Sequence, residues 1–119
     1  MEPSKLKQIM ENVFHECLNL RESGQNEYAL PNNCFSNFEK LSSELLIPRE
    51  KILWVFAKKH IDGIASYLRG HTSQREDVRG RIKDLIVYLI LLYGMIEEKQ
   101  TLVDNYLEKQ NERWQNSSI

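Results

Sequence analysis

The feature of this sequence that most constrains its fold is an unbroken apolar run, "LIVYLILLYGMI", at residues 85–96. A helix of this length spans about 18 Å, well short of the roughly 30 Å hydrocarbon core of a bilayer. The run is apolar on nearly every side, and such a helix is normally buried on every side. Because a chain of 119 residues has few other helices to surround it, we predict a homodimer or higher homo-oligomer formed through this helix.

The rest of the chain shows helical spacing of apolar residues, and no segment alternates apolar and polar residues as a half-buried strand would. We predict a helix over residues 4–20, a loop over residues 21–33, a short helix over residues 35–45 and a helix over residues 48–69. The expected fold is therefore all-α. It is a three- to four-helix antiparallel bundle that forms a single domain, residues 1–119.

The last helix raises a question of length. Ser73 and Glu76 match a capping box, which predicts that the helix begins there. Its pattern continues to about Trp114, and forty helical residues would span about 60 Å. Either the helix breaks within residues 94–99, or it projects from the bundle and packs on a partner chain. Residues 110–119 are expected to fray.

Composition and charge narrow the class of protein. The net charge is −1, with 41% apolar and 28% charged residues, which is typical of a soluble globular domain and gives no overall attraction to nucleic acid or membranes. Cys17 and Cys34 have no disulfide or metal spacing, so we expect free thiols in a reducing compartment. The first residues lack the apolar run of a signal peptide. We therefore expect a cytoplasmic protein with neither a nucleic-acid nor a membrane partner.

The helix at residues 48–69 carries a mixed strip beside its apolar face. The face predicted to be buried consists of Leu53, Ala57, Ile61, Ile64 and Leu68. The strip consists of Phe56, His60, Gly63 and Tyr67, with Lys59 next to it. A glycine in mid-helix costs about 1 kcal/mol relative to alanine, so we expect something to approach it closely. That something is either a neighbouring helix or a planar base with an attached phosphate.

Basic residues crowd the start of the last helix, at Arg75, Arg79, Arg81 and Lys83. Cations are poorly placed at a helix N-terminus, which carries a partial positive charge. The cluster is therefore either an exposed, salt-bridged surface or a place where an anion compensates the charge. Asp84 leads into the apolar run, where a carboxylate needs a partner.

The segments "NNCFSNFEKLSSELLIPREKILWVFAKKHIDGIASYLRG" and "SQREDVRGRIKDLIVYLILLYGMIEE", within residues 32–98, resemble small helical phage proteins. That group is similar to the all-α nucleotide pyrophosphohydrolases, the MazG-like superfamily. The resemblance implies helix acids, Glu-Glu-x-x-Glu and Glu-x-x-Asp, that bind Mg²⁺ to cleave a nucleoside triphosphate between its α- and β-phosphates. It implies that Asp84 is the terminal Asp, with Tyr88 after it. An acid is expected at Arg81, and an acid pair is expected where Lys58, Lys59 and His60 stand.

Because Mg²⁺ prefers hard oxygen ligands, these departures imply a pocket that holds a phosphorylated nucleotide without cutting it. In a phage setting this would be sequestration of a host defence nucleotide signal, an anti-defence activity in the host cytoplasm. We expect no catalytic residue, no metal and no cofactor. The predicted ligand-binding residues are Phe56, Lys59, His60, Gly63, Tyr67, Arg75, Arg79, Arg81, Asp84 and Tyr88.

Two alternatives stay open. The first is an Mg²⁺-dependent nucleotide pyrophosphohydrolase with atypical ligands, with Asp62, Glu76 and Asp84 among the candidates. The second is a helical protein–protein interaction module without a small-molecule ligand, in which the apolar run and the tail of the last helix make the contacts.

Overall fold

The computed structural model describes residues 1–117, and this part of the chain is all-helical. It contains α1 (Pro3–Tyr28), α2 (Ser36–Leu45), α3 (Arg49–Leu68) and α4 (Val78–Ser117), which pack as a bundle. The predicted all-α class and the long last helix are confirmed. None of the described helices has the length and apolar character needed to cross a membrane.

The first helix is longer than predicted, because residues 21–28 continue α1 and do not form a loop. Arg21 donates a hydrogen bond to the side chain of Gln25 one turn later, which supports this polar extension. Gln25 in turn donates to the carbonyl of Leu30 at 2.7 Å and ties the helix end to the following turn. Glycine and polar residues thus misled the prediction, because the side-chain hydrogen bonds of Arg21 and Gln25 support a segment of weak helix propensity.

Local hydrogen bonds set the ends of α2. The side-chain oxygen of Asn33 accepts from the backbone N–H of Phe35 at 3.0 Å and forms an Asx turn that leads the chain into α2. At the other end Leu46 takes a left-handed conformation, with φ of 56°. This turn lets the N–H of Ile47 bond to the carbonyl of Ser42 at 3.3 Å. Pro48 then stands just before α3, which begins at Arg49, one residue later than predicted.

The predicted capping box at Ser73 and Glu76 is wrong, because α4 begins at Val78. Asp77 caps it instead: its Oδ1 accepts from the backbone N–H of Arg79 at 2.8 Å. Hydrogen bonds from the side chain and backbone of Arg79 lower the pKa of Asp77 to about 2. Glu76 is therefore released from a capping role, and its carboxylate faces α3.

The last helix runs unbroken for 40 residues, so the alternative of a break at residues 94–99 is wrong. The molecule accordingly reaches 70 Å along its longest axis. The predicted frayed tail, residues 110–119, is helical as far as Ser117, and its last two residues lie outside the described part of the chain.

The core lies where α2, α3 and the first half of α4 meet. Its buried members are Phe35, Phe38, Ile52, Leu53, Leu91 and Met95. Helices α3 and α4 are antiparallel: Arg49 at the start of α3 pairs with Glu98, while Gly63 near its end lies against Arg81. Leu68 is 77% exposed, so its predicted burial is wrong. It is the last residue of α3 and lies beyond the part of this helix that packs against the bundle.

The apolar run of α4 is buried on one side only within a single chain. Leu91 and Met95 are buried, whereas Tyr93 and Ile96 are 68% and 54% exposed. The bundle therefore covers the side of the run that faces α3, and the opposite side is open.

Candidate functional site

The candidate site is a pocket of about 460 Å³ between the end of α1, α2, α3 and α4, which we call the polar pocket. Its lining mixes aromatic, cationic and acidic side chains. They include Arg21, Glu27, Tyr28, Asn37, Phe38, Lys59, His60, Glu76, Asp84 and Tyr88. Four of these, Lys59, His60, Asp84 and Tyr88, belong to the predicted set.

His60 lies at the base of the polar pocket and is 7% exposed. Its ring centre is 5.7 Å from that of Tyr88. Its Nδ1 lies 3.8 Å from Oδ2 of Asp84, which is too long for a hydrogen bond. Among the described residues, this buried nitrogen has no hydrogen-bond partner. A ligand that bonds to this nitrogen would therefore offset the cost of burying it unpaired.

Arg81 lies across α3 at Gly63. A Cβ at residue 63 would stand 2.5 Å from Cδ of Arg81, so any larger residue here would force this side chain to shift. The close approach expected at Gly63 is therefore made by an arginine of the neighbouring helix. The Arg81 side chain is 11% exposed, and its Nε has no hydrogen-bond partner within residues 1–117.

Glu76 links the two cations of this region. Its carboxylate accepts from Nζ of Lys59 at 3.2 Å and lies 3.8 Å from Nη1 of Arg81. The hydrogen bond from Lys59 is the main cause of a lowered pKa of Glu76. Lys59 itself is 65% exposed, so this side chain can turn from Glu76 towards a ligand.

A short row of aromatic rings forms one wall of the pocket. The Tyr88 ring lies between His60, at 5.7 Å, and Phe38, at 6.4 Å, and Phe38 contacts Phe56 edge-on at 5.9 Å. Burial, followed by the nearby charge of Asp84, raises the pKa of the Tyr88 hydroxyl. Tyr88 therefore stays a neutral hydrogen-bond donor with an apolar face, which suits a planar ligand.

Three side chains offer donor atoms that a metal ion could share. One ligand atom each of His60, Glu76 and Asp84 lies within 4.8 Å of the others. Two carboxylates and one imidazole fit Mg²⁺ less well than a set of oxygens, and imidazole suits transition metals better. The positive charges of Lys59 and Arg81, which both lie beside Glu76, also disfavour the binding of a metal ion there. The residues present therefore fit the Mg²⁺ chemistry of the MazG-like resemblance poorly.

The other predicted residues are spread over different surfaces. Tyr67 and Arg79 line an adjacent groove of about 470 Å³, which shares Glu76 with the polar pocket. Arg75 is exposed and lines neither cavity. Phe56 supports the aromatic row from behind.

Asp62, named above as an atypical metal ligand, lies away from the other two candidates. Its carboxylate binds Nζ of Lys58 at 2.8 Å, and both side chains are exposed. The predicted solvent pair of Lys58 and Asp62 is confirmed. Asp62 therefore takes no part in the group formed by Glu76 and Asp84.

Sequence reasoning missed the wall that α1 contributes. Arg21, Gly24 and Tyr28 line the polar pocket, but they fall in the segment predicted to be a loop. The signal was present, because these residues continue the steps of four and three from Cys17 along the buried side of α1. Because most of these residues are polar, this helical spacing was not recognised.

Comparisons of this chain with protein-family models, with curated proteins and with solved structures found no match. The resemblance to the MazG-like superfamily is therefore neither supported nor contradicted by them. Fold and site together describe a small all-helical protein with a mixed-charge, aromatic-walled pocket, and its function has to be argued from those residues.

Proposed function

We propose that the polar pocket binds a phosphorylated nucleotide without cleaving it. The observation that carries the proposal is the placing of Lys59 and His60 beside the ring of Tyr88 in one cavity of about 460 Å³. Ligand sites of small molecules commonly measure about 300–1,000 Å³ and combine apolar walls with a few polar groups. A base would stack on the aromatic wall, and the phosphates would meet the cations.

Three groups would attract the phosphates of the proposed ligand. Lys59 is exposed enough to leave Glu76, and His60 Nδ1 lacks an acceptor or donor among the described residues. Arg81 does not line the pocket, but it adds a largely buried positive charge 3.8 Å from the carboxylate of Glu76. Phosphate oxygens accept charge-assisted hydrogen bonds from such groups. Glu76 and Asp84 can accept hydrogen bonds from ribose hydroxyls, which would offset part of the repulsion between these carboxylates and the phosphates.

The same residues argue against cleavage. Arg81 occupies the position, three residues before Asp84, where the resemblance calls for an acid. Its guanidinium lies 3.8 Å from Glu76, so a fixed positive charge stands beside a carboxylate that a hydrolase would use to hold a metal ion. A protein of this kind would sequester its ligand and release it intact.

Thermal-shift measurements against a panel of nucleotides, in the presence of a metal chelator, test the proposal. We expect a rise in melting temperature with at least one ligand, which Lys59→Met abolishes. Lys58→Met is the matched control: it removes the neighbouring lysine, which faces solvent and pairs with Asp62. The proposal fails if no nucleotide binds at millimolar concentration, or if both variants lose binding equally. A complete lack of ligands would favour the interaction-module alternative.

A second candidate, a metal-dependent nucleotide pyrophosphohydrolase, is favoured by one observation, the closeness of His60, Glu76 and Asp84. It predicts pyrophosphate release from a nucleoside triphosphate with Mg²⁺ or Mn²⁺. Asp84→Asn should abolish that release. Intact recovery of the nucleotide after prolonged incubation with either metal would exclude this candidate in favour of the first.

We also propose that the chain self-associates through α4, which would leave each polar pocket within one chain. Of the α4 residues that line the pocket, Asp84, Tyr88 and Leu91 lie on the side of the helix that faces α3, and Val87 is the fourth. The opposite side carries the exposed part of the apolar run.

A further inference from the structure

The second half of α4 extends past the bundle. Arg49, at the first residue of α3, reaches Glu98, and α3 gives α4 no cover beyond this point. Residues 99–117 continue the helix, for about 28 Å. An isolated helix is only marginally stable in water, so a long projecting segment is expected to pack on something.

One side of this helix carries a regular row of mainly apolar residues, interrupted by two glutamines, which we call the α4 seam. Its members, separated by alternating steps of four and three, are Leu89, Tyr93, Ile96, Gln100, Val103, Leu107, Gln110 and Trp114. The average step of 3.5 residues is that of a left-handed coiled coil. Its large apolar members are strongly exposed: Tyr93 is 68% exposed, Leu107 58% and Trp114 74%.

We propose that the α4 seam forms a parallel, in-register coiled coil with a second copy of the same chain. This inference does not depend on the nucleotide. It goes beyond the predicted homodimer by fixing the segment, the direction and the register of the contact.

Charge complementarity indicates both the partner and the direction. With Tyr93 and Ile96 at heptad positions a and d, Lys99 takes position g and Asp104 the following e. In a parallel, in-register pair these positions face each other across the seam, so Lys99 would meet Asp104 of the second copy twice. Asp104 already accepts a hydrogen bond from Gln100 at 2.9 Å through one oxygen, and its other oxygen remains for Lys99.

The antiparallel arrangement that would bury both polar positions is disfavoured by charge. Pairing Gln100 with Gln110 of the second copy brings Asp104 next to Asp104 and Lys99 next to Arg113. Like charges at these flanking positions repel. In the parallel register each glutamine instead meets its own counterpart, and an amide can both donate to and accept from an identical amide. A polar layer of this kind fixes register at some cost in stability.

The apolar layers bear on the number of strands. Leu107 occupies an a position, while Ile96 and Val103 occupy d positions. Leucine at a with β-branched residues at d also favours more than two strands, so a further copy can join the pair in the same parallel register. A parallel assembly would gather the bundles at one end and leave the pocket of every copy accessible.

Light scattering on the full chain, with two matched variants, tests self-association. Leu107 and Leu102 are similarly exposed, at 58% and 64%, but only Leu107 lies on the seam. We expect the unmodified protein and Leu102→Asp to have at least twice the mass of one chain, and Leu107→Asp to be monomeric. A monomeric unmodified protein would overturn the proposal, as would a Leu107→Asp variant of undiminished mass.

Cysteine cross-linking tests direction and register. In a Cys34→Ala background, Gln100→Cys should form an intermolecular disulfide on mild oxidation, because identical a positions meet in a parallel pair. Asn105→Cys, on the outer face of the same helix, should not. Lys99→Glu should weaken association, and Lys99→Glu combined with Asp104→Lys should restore it. Absence of the disulfide in the Gln100→Cys variant, if that variant still associates, would overturn the parallel register.

Discussion

The side chain of Arg81, from Cδ to the guanidinium carbon, lies directly against the backbone of Gly63, beside the candidate site. This contact explains two features at once. The glycine is needed because a Cβ would overlap the arginine, and the arginine is held at a fixed place beside Glu76.

Gly63→Ala should therefore destabilise the protein, although alanine is the better helix former. The added methyl group would stand 2.5 Å from Cδ of Arg81 and force that largely enclosed side chain to move. Overpacking of this kind costs about 1–3 kcal/mol, more than the roughly 1 kcal/mol that alanine gains in a helix. Denaturant unfolding measures the difference.

Gly80→Ala provides the matched control. Within residues 1–117, a Cβ at this position of α4 meets no atom closer than 4 Å. We expect a gain in stability of up to about 1 kcal/mol, since only helix propensity changes. Stabilisation of both variants by the same amount would show that the Gly63–Arg81 contact is not tight.

Arg49 should be the most important charged residue for the fold. Its guanidinium binds Glu39 at 2.7 Å and Glu98 at 3.1 Å, and lies 4.9 Å from the ring centre of Phe35. Because it joins α2, α3 and α4 and is 16% exposed, Arg49→Met should lower the free energy of unfolding by about 1.5–3 kcal/mol. Arg49→Lys should recover only part of this loss, since a lysine cannot bind both carboxylates in a fork.

The exposed pair of Lys58 and Asp62 serves as the comparison for Arg49. Lys58→Ala should change the free energy of unfolding by no more than about 0.5 kcal/mol. Equal effects of the two substitutions, measured by denaturant unfolding, would refute the special role of Arg49.

Leu46→Gly should stabilise the protein. Leu46 is 89% exposed and holds a φ of 56°, a conformation that favours glycine. Relief of this strain should outweigh the greater entropy of the unfolded glycine chain, for a net gain of about 0.5 kcal/mol. Leu45→Gly, at the preceding helical residue, should instead cost about 1 kcal/mol. A loss of stability at both positions would contradict the account of this turn.

The ion pair of Lys59 and Glu76 should be detectable as a lowered pKa of Glu76 in a titration. The lysine lowers the pKa of Glu76, so the pair contributes stability above the pKa of an unfolded glutamate, and this contribution is lost as the pH falls through the lowered value. Lys59→Met should raise the pKa of Glu76 towards its ordinary range, which carboxyl NMR measures directly. Lys58→Met should leave it unchanged. An unaltered pKa in Lys59→Met would mean that the ion pair does not form in solution.

The fold was predictable where sequence periodicity was strong. The α3 stripe around Leu53 and Ala57 and the solvent pair of Lys58 and Asp62 follow from helical spacing alone, and the structure has them as predicted. Spacing also indicated a long last helix, but it left open the break that the structure does not have. Helix boundaries were less predictable. The start of α4 depends on Asp77, whose capping bond competes with a plausible but unused capping box at Ser73.

The candidate site was predictable only in part, because it is assembled from distant segments. The pattern of the helix at residues 48–69 pointed to Lys59 and His60, the MazG-like resemblance pointed to Asp84 and Tyr88, and the structure has all four lining the polar pocket. The contribution of Tyr28 could not, since it requires α1 to continue through a polar, glycine-containing stretch. The reversal of expectation at Glu76, from a cap to a partner of Lys59, likewise depends on tertiary packing.

The central claim, that the polar pocket holds a phosphorylated nucleotide without cutting it, is tested most directly by isothermal titration of the full chain with nucleoside mono-, di- and triphosphates, followed by chromatography of the recovered ligand. The account predicts saturable binding of one nucleotide per chain, loss of binding in Lys59→Met, and recovery of the nucleotide intact with or without Mg²⁺. No heat of binding at millimolar concentration, or the appearance of pyrophosphate with Mg²⁺, would contradict it.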